Sequence, residues 1–234
     1  MLAFVWGVSG CTPAIPSDSA AIESVGILAA QARQPEAVAK LKRWSEQGNG
    51  VAQRELALAL LKDPETRDQG LSWLERAARN DDAEAAFVLG DAVRMGRFGL
   101  KPDVLAARPW LERSAQHGHA DAALALARLA SNGEAGARDA RLALQWLRKA
   151  SEAGNTQAMF LLSNAYAQGQ GTPVALDQAR YWLEAAADKH FSPAIQAYAL
   201  ALENGELGLE RDPAQARELM MEADEERRNR WNSR

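Results

Sequence analysis

The chain has 234 residues, 47% hydrophobic and 25% charged, with a formal net charge of −4 from 27 Lys plus Arg against 31 Asp plus Glu. That profile fits one or two soluble folded domains and excludes the basic stripe that nucleic-acid binding requires. The local run of Arg227, Arg228, Arg230 and Arg234 is offset by Glu222, Asp224, Glu225 and Glu226. Alanine supplies much of the apolar content, often doubled as at Ala77 and Ala78 or Ala85 and Ala86, while runs of Val and Ile are nearly absent. Alanine is the best helix former and lets helix axes approach, whereas a sheet favours β-branched residues. An all-α fold is expected.

The first element is an uncharged apolar stretch, residues 1–10, ending in Val8, Ser9 and Gly10 ahead of Cys11, the single cysteine. It is far too short to span a bilayer as a helix. The arrangement resembles the bacterial lipobox, an aliphatic residue and two small residues before an acylated cysteine. That resemblance implies a signal peptide over 1–10, a lipid on Cys11, and a mature chain that begins there. Residues 11–19, rich in Pro and Ser, then read as a flexible tether. Thr12 rather than Asp after the cysteine implies an outer-membrane lipoprotein facing the periplasm, touching the membrane through its lipid alone. No Lys or Arg precedes the apolar run, where a secretory signal begins with a positive region, so the natural start is expected upstream.

Beyond the tether, one period organises residues 20–234. Trp73, Trp110, Trp146 and Trp182 are spaced by 37, 36 and 36 residues. Ala85, Ala122, Ala158 and Ala194 keep the same beat, as do Gly96, Gly133, Gly169 and Gly205. In the copy at 158–193, Ala158, Leu162 and Tyr166 share one helical face, residues 168–173 (QGQGTP) break the helix, and a second helix carries Ala179, Trp182, Leu183 and Ala186. Each unit is therefore a helical hairpin, and the tryptophans fill the wedge between neighbours. The copies before residue 85 are degenerate and lack the glycine turn. Leu219 replaces the tryptophan in the last copy, and with Met220 and Met221 it suits a capping helix running to about residue 230.

These residues resemble the Sel1-like repeat, a relative of the tetratricopeptide repeat with longer inter-helix loops. Its pattern of Ala, Leu-Gly, Tyr, a Gly-x-Gly turn, Asp, Ala, Trp and paired Ala is matched by Ala158, Leu162, Ser163, Tyr166, Gly169, Gly171, Asp177, Ala179, Trp182, Ala186 and Ala187. Asp139 and Asp103 stand for Asp177 in the two copies before it. The resemblance covers roughly residues 36–224, with the best copies at 85–121, 122–157, 158–193 and 194–224. It implies a right-handed α-solenoid of antiparallel helix pairs, and a scaffold that binds protein rather than an enzyme. It is similar to the Sel1-like lipoproteins that help assemble envelope export machinery. Some secreted relatives classed as β-lactamases carry a cysteine pair in each repeat, which this chain lacks. A cell-wall-acting enzyme and a cytoplasmic adaptor are the alternatives.

The chemistry-bearing residues point the same way. His117 and His119, with His190 two repeats on, lack the additional ligands of a metal site. Asp81 with Asp82 and Glu225 with Glu226 lie at turns or helix ends, and the Gly169/Gly171 pair is a repeat turn rather than a phosphate loop. No catalytic, metal or cofactor residues are expected. In tetratricopeptide-like solenoids the first helices line a concave groove, and a protein or peptide segment is its expected occupant. The resemblance places Phe87, Leu124 and Phe160 there as an apolar row beside Asp91, Arg128 and Asn164, with Gln196 and Leu200 in the last copy. One turn on come Arg94, Asn132, Gln168 and Glu203.

Overall fold

The computed structural model describes residues 15, 16 and 18–232. The expected signal peptide over 1–10, Cys11 and most of the expected tether lie outside them. The tether expected to reach residue 19 ends sooner, because Asp18 accepts a hydrogen bond from the Ala20 amide and so caps α1 (Ser19–Ala30). Among the described residues every regular element is helical. The others are α2 (Pro35–Glu46), α3 (Gly50–Leu60), α4 (Arg67–Arg79), α5 (Ala83–Met95), α6 (Val104–Gln116), α7 (Ala120–Asn132), α8 (Ala140–Glu152), α9 (Thr156–Gln168), α10 (Leu176–Asp188), α11 (Ser192–Asn204) and α12 (Pro213–Asn232). A short 3-10 turn at Arg97–Gly99 follows α5. No helix among the described residues is long and apolar enough to cross a membrane.

Helix starts and stops repeat with the sequence. An N-cap side chain satisfies one of the orphan amides of a helix's first turn. Asn49, Asp82, His119 and Asn155 each accept from the amide three residues on, at the starts of α3, α5, α7 and α9. Asp103 and Asp139 do the same for α6 and α8. Asp177, two residues further along the repeat than Asp139, lies inside α10. The cap position is Ala175, and Asp177 reaches Arg180 at 3.4 Å. The four glycines read as helix breakers, Gly96, Gly133, Gly169 and Gly205, are all left-handed C-caps.

The chain divides between Ala77 and Ala78 into two compact units. In the first, α1, α2 and α3 pack on one another around Ile22, Leu41, Trp44 and Leu56. Gln53 is fully buried there and donates its side-chain amide to the Ser45 carbonyl at 3.0 Å. In the second unit, α5 pairs with α6, α7 with α8, α9 with α10, and α11 with α12, and each pair packs on the next. Where the two helices of a pair cross, the residue is always small: Gly90, Ala127, Ser163 and Ala199. A Cβ added at Gly90 would stand 3.0 Å from the Leu111 side chain. Ser163 instead donates its hydroxyl to the Ala179 carbonyl of α10 at 2.7 Å.

Trp146 and Trp182 pack half-buried against the core built on Leu126, Leu147 and Leu162, and Trp182 also touches the next cluster, around Leu183 and Ile195. It therefore joins neighbouring hairpins, as its spacing suggests. Gly171 shows why its turn needs a second glycine. Its φ is +73°, and an added Cβ would collide with the Ala140 carbonyl at the start of α8, one repeat back. A left-handed L residue costs about 1–2 kcal/mol before any clash, so Gly171→Ala is expected to lose at least about 2 kcal/mol in denaturant unfolding.

Candidate partner-binding face

Residues of α5, α7, α9 and α11 that point away from the partner helix of each hairpin form the face on which the expected site falls. Its N-terminal edge is held by a ladder between repeats. Asn155 caps α9 with its side-chain oxygen and donates its amide to Asp121 of α7 at 2.7 Å. His119 performs both tasks one repeat earlier, accepting from Ala122 at Nδ1 while Nε2 sits 2.9 Å from Glu84 of α5. The cap requires a bare Nδ1, so Nε2 carries the proton and donates to the carboxylate. Phe87 stacks on the same imidazole with ring centroids 4.3 Å apart. His119 in sequence is only a histidine in a turn; the signal that could have found it is its place 37 residues after Asp82 and 36 before Asn155. His119→Asn is expected to preserve both links, whereas His119→Ala should cost about 1–2 kcal/mol in thermal or denaturant unfolding.

The expected apolar row is less open than its spacing suggests. Leu124 is 5% exposed and belongs to the core. Phe87 packs against that same core, so the two close the seam between α5 and α7 rather than offering a row to a ligand. Phe160 has the same helical phase as Leu124 and packs against the cluster around Met159, Leu183 and Ile195, but it is less fully covered. Phe160 is half-buried and tilted against Phe191, with centroids 5.9 Å apart.

The polar positions divide by repeat. Asp91 is already neutralised, by Arg94 at 2.6 Å and Arg97 at 3.0 Å. Asn132 donates to Glu134, and Gln168 accepts from Gln170, so both amides are engaged at the turn after their helix. Arg128, Asn164 and Leu200 stand at one position in three successive first helices, with Arg128 exposed, Asn164 half-buried and Leu200 49% exposed. Gln196 is half-buried and Glu203 exposed. Among the described residues no group of three or more His, Cys, Asp and Glu could hold a metal ion.

One titrating group stands beside this face. Tyr198, in the place Leu162 takes one repeat earlier, donates its hydroxyl to Glu184 of α10 at 3.0 Å. Burial, then the hydrogen bond and charge of Glu184, push its phenol up to about 12. A raised acid stabilises the fold below its ordinary value near 10, and that contribution is lost as pH climbs through 12. Ultraviolet titration should show one phenol ionising near pH 12, a step that Tyr198→Phe removes.

A model of the Sel1 repeat matches residues 50–82, 83–119, 120–155, 156–191 and 192–223. The chain belongs to the Sel1 repeat family. The match begins later than residue 36, yet it takes in 50–82, the stretch without a glycine turn. Sel1 repeat proteins are typically non-catalytic scaffolds that bind other proteins. A Sel1 repeat protein from Oxalobacter formigenes is 25% identical, with 89% of this chain and 88% of that one covered and a TM-score of 0.74. A protective antigen of uropathogenic Escherichia coli is 23% identical with a TM-score of 0.76 over 88% of this chain, which spans 46% of that one. The second likeness shows the fold alone. No curated protein matches the chain.

Proposed function

We propose that this Sel1 repeat protein is a non-catalytic scaffold that holds a segment of another protein on the first-helix face of its second unit. Cys11 anchors it by lipid to the outer membrane, on the periplasmic side, where it assists assembly of an envelope complex. The observation that carries the binding reading is the row of Arg128, Asn164 and Leu200, which projects from three successive helices without forming part of the core. Polar groups with spare hydrogen-bonding capacity beside an apolar ring suit a protein segment. The anchor rests on Val8, Ser9, Gly10 and Cys11.

A photo-crosslinking residue placed at Asn164, in the protein expressed from its native gene in a Gram-negative host, tests both halves. The expected result is a discrete protein adduct absent when the crosslinker stands at Tyr181, which is exposed on the second helix α10. Mass spectrometry of the same sample should find an acylated Cys11, with the chain leaving the membrane fraction in Cys11→Ala. Equal labelling from both positions sinks the binding face, and an unmodified Cys11 sinks the anchor.

A further inference from the structure

The charge and amide pattern of this face is specific enough to name its ligand chemistry. Arg128 makes no ion pair or hydrogen bond with any described residue. It is thus a cation with no ion-pair partner among the described residues. Asp91, one repeat earlier, is by contrast paired with two arginines, Arg94 and Arg97. One and two repeats on, the half-buried amides of Asn164 and Gln196 hydrogen-bond to no described residue either. Each such amide both donates and accepts. That pairing matches the peptide unit of an extended chain, whose N–H and C=O are free, and not a helix, whose own are spent.

We infer that the face takes an extended peptide carrying a carboxylate for Arg128, with its main chain read by Asn164 and Gln196 and an apolar side chain set against Phe160. This specificity rests on the proposed binding face and is separable from it.

The test is a selection of random linear peptides displayed on phage against the full chain, followed by fluorescence anisotropy with a synthetic copy of the enriched sequence. The expected consensus holds Asp or Glu together with Leu, Phe or Met. Arg128→Glu should weaken that peptide about five- to tenfold, and a peptide with Lys in place of its acid should regain binding to the variant. Asn164→Arg should abolish binding, with circular dichroism confirming that both exposed-face variants fold. Peptides that lack an acid, or that bind Arg128→Glu as well as the parent, overturn the inference while leaving the face intact if Asn164→Arg still blocks them. No enrichment, or indifference to Asn164→Arg, overturns both.

Discussion

Two helices can lie close enough to share a continuous seam only if the residue at their crossing carries almost nothing on its Cα. Gly90, Ala127, Ser163 and Ala199 meet that condition at the same place in four hairpins, and all are buried. Because the crossing is tight, the leucines around it, Leu111, Leu126 and Leu162 among them, are buried almost completely. Truncating such a side chain leaves a cavity costing about 2–5 kcal/mol. The tight seam also turns the opposite side of each first helix outward, toward any ligand. Ser163 adds a hydrogen bond to the carbonyl of the partner helix, so a polar atom serves at a position where a larger apolar side chain would not fit.

Much of this was legible in the sequence because the periodic residues are those with a strict local job. Glycines ending a helix and Asx residues starting one act within four residues, so spacing exposes them. Legibility failed where the job depends on a neighbour's position. Asp177 matches Asp139 by residue type alone, for Ala175, one period after Asp139, takes the cap position. The division between Ala77 and Ala78 falls inside α4, where helix-forming residues run on without a break.

The candidate face was legible in its outward-turned positions but not in which of their side chains are already engaged. Phase along a helix selects the outward residues, and most expected positions are indeed half-buried or exposed. Phase cannot tell Leu124, covered by the seam, from Phe160, nor show that Asp91 already has two arginine partners. Those outcomes depend on side-chain reach between repeats. The same holds for Tyr198, whose hydroxyl gains a carboxylate partner because Glu184 sits across the hairpin. The face is accordingly uneven: self-satisfied toward α5, and rich in unspent polar groups from α7 to α11.

The ladder of cap residues also bears on how such a chain grows and shrinks. His119 and Asn155 each hold their own helix by its first turn and the preceding one by an acidic side chain, through the same two contacts. Excising residues 120–155 would set His119 directly before Thr156, where it still faces Glu84 and still begins a helix. Duplicating them would give a second Asn155 in the same surroundings. Gain or loss of one whole period therefore leaves no helix end bare, while a gain of half a period would leave several. That asymmetry favours arrays that change length in complete units, with loop insertions confined to the glycine turns at the opposite end of each hairpin.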